Sequence, residues 1–165
     1  MPSCKISEIR GNVDTRIEKL NSGEFDAIIL ANAGLERLEL STNSISLDMQ
    51  KFLPAVGQGI IAIQCRKDDC ATKRVLDPLR DEAQISMINL ERAFIRRNGG
   101  NCHSAVSVMA SSNGKNLSMS SQIFGKNDYI ALTETGLLND GQLLLDNMVK
   151  QAEQLGGIEL LDENN

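Results

Sequence analysis

Apolar residues along this chain recur with two periods, and the switches between them divide it into three stretches. In the first, up to about residue 45, a short amphipathic run carries Ile17 and Leu20, with Asp14 placed to cap a helix and Gly23 to stop it. The following run, Phe25-Asp26-Ala27-Ile28-Ile29-Leu30-Ala31, is too short for a typical helix and reads as a buried strand. Helical spacing resumes over Ala33-Gly34-Leu35-Glu36-Arg37-Leu38. Helix, strand and helix in quick succession predict a piece of an α/β layer with a parallel sheet, although the stretch supplies too few neighbours for such a strand.

The second stretch, about 46–80, runs from Leu53-Pro54-Ala55-Val56-Gly57-Gln58-Gly59 into Ile60-Ile61-Ala62-Ile63-Gln64-Cys65, a strand candidate. Asp68 or Asp69 is placed to cap a helix ending near Pro78. The third stretch, 81–165, opens with Asp81 and Gln84 at capping-box spacing, ahead of a helix through about Arg97 whose stripe holds Met87, Leu90 and Phe94, with Ile88 and Ile95 beside it. Residues 105–110 alternate like a strand, Asn113-Gly114 is a hairpin turn, and Leu117 to Ile123 continues. Lys126-Asn127-Asp128 turns into Tyr129-Ile130-Ala131-Leu132, and a helix over roughly 139–155 is stopped by Gly156-Gly157. The fold class that follows is α/β plus α+β. A partial parallel-sheet layer (1–45) and a strand and helix (46–80) precede a small domain (81–165) with a three-stranded antiparallel sheet and helices on one face.

Composition narrows the functional classes. A formal net charge of −5 argues against generic nucleic-acid binding, which needs a basic face. Much of the acid lies in the tail, at Glu153, Glu159, Asp162 and Glu163, so a locally basic pocket remains compatible with the total. Four scattered cysteines do not form a disulfide framework and suit a reducing compartment. No apolar run reaches the length of a membrane span, and Met1-Pro2-Ser3-Cys4 carries no signal-peptide pattern. The expectation is a cytoplasmic protein with neither membrane nor nucleic acid as partner.

Three groups of residues carry candidate chemistry. Cys102 lies in the loop Asn98-Gly99-Gly100-Asn101-Cys102-His103-Ser104, beyond a helix bearing Arg92, Arg96 and Arg97. Glycines permit close backbone approach to a ligand, and nearby cations favour thiolate. Read alone, the glycines equally stop the helix while Cys102 fills space. Arg10, Arg16 and Arg37 flank the first helices and the Ile28-Ile29-Leu30 run, where guanidinium groups would clamp carboxylates in pairs; solvated surface charge is the alternative. Gly57-Gln58-Gly59 would offer backbone N–H groups and one amide to a ligand, or else makes a tight crossing open only to glycine. Cys65, Cys70 and the Cys102-His103 pair do not make a convincing zinc set, so no metal is expected.

Taken in order, Ile9-Arg10-Gly11-Asn12-Val13-Asp14-Thr15-Arg16, Glu24 to Ala31, Ala33 to Leu38, Leu53 to Gly59, Glu91-Arg92-Ala93-Phe94 and the Gly99-to-Cys102 loop resemble the porphobilinogen deaminase (hydroxymethylbilane synthase) family. The resemblance implies a transferase of tetrapyrrole (porphyrin and heme) biosynthesis that condenses four porphobilinogen molecules, releasing ammonia each time. Its primer is a dipyrromethane cofactor held by a thioether to a loop cysteine. By resemblance that cysteine is Cys102, while Arg10, Arg16 and Arg37 match arginines binding acetate and propionate groups, and Gln58 and Gly59 match the segment beside the cofactor. The full-length family is monomeric.

The same resemblance makes this chain a carboxyl-terminal part, beginning in the second half of the family's second domain. The stretch 46–80 would then pack on an absent first domain, and without it expose apolar surface. The family's catalytic aspartate would fall in the missing part, so no catalytic residue is assigned. In the cysteine loop Asn101, His103 and Ala105 depart from the family's Gly, Gln or Ser, and Pro. The alternatives are one half of a split enzyme and a non-enzymatic module binding anionic carboxylates.

Overall fold

The computed structural model describes residues 4–40, 43–100 and 104–163, and divides the chain into two units, 1–47 and 48–165.

In the first unit, α1 (Val13–Asn21) and α2 (Asn32–Arg37) are joined by irregular chain. The residue capping α1 is Asn12, not Asp14. Asp14 lies one residue inside the helix, and its Oδ1 accepts from the adjacent Thr15 N–H at 2.9 Å. Gly23 ends α1 at φ +79°, with Gly23 N–H donating to Leu20 O and Glu24 N–H to Lys19 O, a Schellman pair. Gly34 lets α2 approach α1: a Cβ there would stand 3.2 Å from Val13 Cγ2. Leu35 is the one buried residue among those described in this unit. The run 25–31, expected as a strand, forms none here, and Ile29 is 66% exposed. A strand needs a ladder partner for its N–H and C=O groups, and the described part of this unit offers none.

The second unit holds the core. Asp69 caps α3 (Cys70–Leu76) by accepting from Thr72 N–H at 2.9 Å. That bond, above all, lowers the Asp69 pKa below the ordinary aspartate value. A 3₁₀ turn containing Pro78 follows. Asp81 caps α4 (Glu82–Arg97), accepting from Gln84 N–H at 3.0 Å. Three strands, β1 (Val106–Ser112), β2 (Asn116–Phe124) and β3 (Tyr129–Leu137), form an antiparallel sheet in the order β1-β2-β3. The Asn113 side chain shapes the first turn, its Oδ1 accepting from Lys115 and Asn116 N–H. The turn spans residues 113–115, one longer than the Asn-Gly dipeptide alone suggests.

Cross-strand register aligns Val108 with Ser121, and Ser121 with Leu132. The inward face so formed packs α4 against β1, α5 (Gly141–Gln154) against β3, and α6 (Gly157–Asp162) against β2. Phe94, Leu117, Met119, Ile123, Leu145 and Met148 are nearly or wholly buried there. The opposite face carries Ser118, Ser120 and Thr133, with the Ser120 and Thr133 hydroxyls 3.2 Å apart. Gly156 stops α5 in left-handed backbone as expected, yet the chain restarts at once as α6. Glu163 at its end accepts from Lys126 N–H at 2.9 Å and secures the β2–β3 turn. The segment 60–65, expected as a strand, also lies outside the sheet, with Ile61 90% exposed. Again no strand among the described residues is available to bond it.

Candidate functional site

Five of the six predicted site residues lie among the described residues. Cys102, with Asn101 and His103, lies outside the described residues. In the first unit, Arg10 and Arg16 bracket the start of α1. Arg16 Nε donates to Gly11 O at 2.8 Å, which orients the guanidinium and leaves its two terminal nitrogens without a partner among the described residues. Arg10 Nη2 meets Glu8 Oε2 at 3.1 Å, but both side chains are largely exposed, so this pair is weak and readily exchanged for another carboxylate. Arg37, in the last turn of α2, has no ion pair among the described residues. Nothing in the described contacts joins the three guanidinium groups to one another.

In the second unit, the chain from Leu53 to Ile60 makes two successive turns, Gln58 N–H donating to Ala55 O at 3.0 Å and Ile60 N–H to Gly57 O at 3.1 Å. Gly57 (φ +69°) and Gly59 (φ +83°) both adopt left-handed backbone, where side chains are strained, which is why glycine occupies both positions. Leu53 is buried and Val56 packs on the core, while Gln58 and Gly59 face solvent. The Gln58 side-chain amide and the Gly59 N–H have no partner among the described residues.

Glu91 stands in the Glu91-Arg92-Ala93-Phe94 motif but is given no site role by it, and the structure draws attention to it. It occupies the apolar stripe of α4, four residues after Met87 and three before Phe94, and is only 8% exposed. Its Oε2 accepts from Gly57 N–H at 3.1 Å and its Oε1 from Ala110 N–H at 3.0 Å. A carboxylate on a hydrophobic stripe was the available signal, since a buried charge must find partners. The arginines beyond it differ in state. Arg97 is engaged by Asp146 of α5, whereas Arg92 and Arg96 are exposed. A hollow of about 830 Å³ between the starts of α4 and α5 is lined by Met87, Asn89, Leu90 and Gln142 and contains none of the predicted site residues. Among the described residues, Cys4, Cys65 and Cys70 carry free thiols, no trio of metal-ligating side chains gathers, and no helix is long and apolar enough to cross a membrane.

Residues 1–74 match the family model described as porphobilinogen deaminase, dipyromethane cofactor binding domain. Porphobilinogen deaminases of Exiguobacterium sp. (strain AT1b) and Coxiella burnetii (strain Dugway 5J108-111) are 36% and 37% identical over 97% and 98% of this chain. The chain belongs to the porphobilinogen deaminase family. A third relative, the enzyme of Limosilactobacillus reuteri (strain DSM 20016), is 46% identical over 62% of the chain. The chain spans about half the length of the curated relatives, 53% of the Exiguobacterium protein and 54% of the Coxiella protein. The stretch matched by the family model contains Arg10, Arg16, Arg37, Gln58 and Gly59, and ends before Cys102. Dipyrromethane is rich in carboxylates, and the donors found here suit it. In the first unit they are guanidinium groups with N–H uncommitted among the described residues; the second unit separately offers the Gln58 amide and the Gly59 N–H, also without partners among the described residues.

Proposed function

We propose that this chain is the carboxyl-terminal part of a porphobilinogen deaminase, acting in deaminative condensation of porphobilinogen to hydroxymethylbilane, and that it holds the dipyrromethane primer. The observation that carries the reading is the guanidinium chemistry of Arg10, Arg16 and Arg37, held by no more than one weak exposed pair and one backbone bond among the described residues, inside the stretch that matches the cofactor-binding family model. Arginine's planar fork donates two parallel hydrogen bonds to a carboxylate, which fixes orientation as well as charge. Each added pyrrole brings two more carboxylates, so the demand for such clamps grows with the chain being built. Gln58 and Gly59, in the second unit, offer a side-chain amide and a backbone N–H to a carboxylate. Cys102 supplies the thioether anchor. When bound, dipyrromethane supplies the terminal pyrrole on which the product is extended. This chain's residues keep that primer in place and in register, which is an orientation effect. None of them is assigned a proton-transfer role.

The exposed runs 25–31 and 60–65 support a further part of the reading. Ile29, Ile61 and Ile63 are 66%, 90% and 58% exposed, as befits strands of a parallel-sheet layer whose remaining strands belong to the other half of the family's length. The domain assignment 1–45, 46–80 and 81–165, a cytoplasmic location, and a monomeric state for the complete protein belong to the same proposal. Exposure of these runs also favours a second reading, one half of a split enzyme completed by another chain.

The test is intact-mass spectrometry after incubation with porphobilinogen, with and without the amino-terminal half of the Coxiella relative. A dipyrromethane adduct on the wild-type chain that is absent from Cys102→Ser supports the reading. An adduct formed only with the added half supports the split form. No adduct in either arm, or one that persists in Cys102→Ser, refutes it.

A further inference from the structure

We infer that Glu91 is a positioning residue that clamps the Gly57-Gln58-Gly59 turn, holding the Gln58 amide and the Gly59 N–H at a set place on α4. The inference rests on the reading of that turn as part of the ligand site. Glu91 is the single buried charged side chain among the described residues. Its place on the α4 stripe would be filled more simply by Leu, because taking a carboxylate out of water is costly unless its oxygens are hydrogen-bonded. Both are. One oxygen accepts from Gly57, 34 positions earlier, and the other from Ala110 of β1, 19 positions later.

The Ala110 bond satisfies an N–H of the edge strand β1 and fixes the rotamer of the carboxylate. The Gly57 bond then transmits that fixity to the turn. Contact at Gly57 is close, since a Cβ there would lie 3.0 Å from Ile88 Cδ1. Just beyond Gly57 the chain faces outward with the Gln58 amide and Gly59 N–H, neither of them partnered among the described residues. Clamp and donors are therefore adjacent, on opposite sides of one turn. The same helix ends at Arg97 and leads directly into the stretch that bears Cys102. Glu91 thus refers the Gln58–Gly59 donors to the helix from which the anchoring cysteine departs.

The test compares the ¹⁵N-labelled chain with Glu91→Leu, which keeps the side-chain volume in the core, by amide hydrogen exchange and ¹⁵N relaxation. The expected result is Gly57 exchange faster by about tenfold or more and new fast motion at Gln58 and Gly59, with β2 and α5 amides changed by less than about threefold. A merely structural role would lower protection at Met119 and Met148 in step with Gly57. That outcome, or unchanged Gly57 exchange, overturns the inference. If Glu91→Leu does not fold, Glu91→Gln, which retains one acceptor oxygen, is read by the same criteria. Uptake of porphobilinogen as a Cys102 adduct, followed by intact mass, falls by about tenfold in the variant where the wild type forms it. A wild-type chain that takes no adduct either alone or with the added amino-terminal half defeats the functional reading, while the exchange data still decide the clamp.

Discussion

Asp146, on α5, accepts hydrogen bonds from the Arg97 guanidinium in the last turn of α4 and from the Gln142 amide, the latter at 2.9 Å. Together they tie the carboxyl end of α4 to the first half of α5. The Arg97 bond, then the Gln142 bond, holds the Asp146 pKa below its ordinary value of 3.8. A folded-state pKa below the unfolded one contributes stability above the unfolded value and loses it as pH falls through the folded one. The stability difference between wild type and Asp146→Asn is therefore expected to be constant near neutral pH and to shrink below pH 3.8. Urea midpoints measured from neutral to strongly acidic pH check this. A difference that grows with acidity contradicts it.

Burial separates the two units sharply. Phe94 is fully buried in the second unit, and Phe94→Ala is expected to cost about 3–5 kcal/mol through lost burial and a residual cavity. Leu35 is the one buried residue described in the first unit, so Leu35→Ala should leave the main cooperative transition where it is. Tyr129 in β3 is the only tyrosine of a chain without tryptophan, and its fluorescence reports the sheet directly. Equal shifts for the two variants would show that the core is shared more evenly than the burial pattern implies.

Ser121 sits in the middle strand in register with Val108 and Leu132, its hydroxyl buried and without a hydrogen-bond partner among the described residues. An unsatisfied buried hydroxyl carries a desolvation penalty that alanine removes. Ser121→Ala is expected to raise stability by about 1 kcal/mol in chemical denaturation. A loss of similar size would reveal a partner for that oxygen.

The run Ile60-Ile61-Ala62-Ile63 is apolar, uncharged and solvent-facing, with Ile61 90% exposed. Such segments promote association between chains. Ile61→Ser should change folding stability by no more than about 0.5 kcal/mol while lowering concentration-dependent light scattering. Undiminished scattering would place the sticky surface elsewhere.

Local features were legible in the sequence wherever a short-range rule governs them. The caps at Asp69 and Asp81, the stop at Gly23, the Asn113-Gly114 turn and the alternation of β1 and β2 all rest on contacts within a few residues. The resemblance to the family, a matter of sequence alone, singles out Arg10, Arg16, Arg37, Gln58, Gly59 and Cys102 as positions to test. What depends on distant partners was not legible. The runs 25–31 and 60–65 have strand composition but no strand, because a ladder is made by neighbours that the described chain does not bring to them. The stripe position of Glu91, between Met87 and Phe94, signals a buried carboxylate but not its partners. Only the packing of α4 between β1 and the Leu53–Gly59 segment turns it into a buried carboxylate shared by two backbone donors, because hydrogen bonds between residues 19 and 34 positions apart exist only once the tertiary fold has formed.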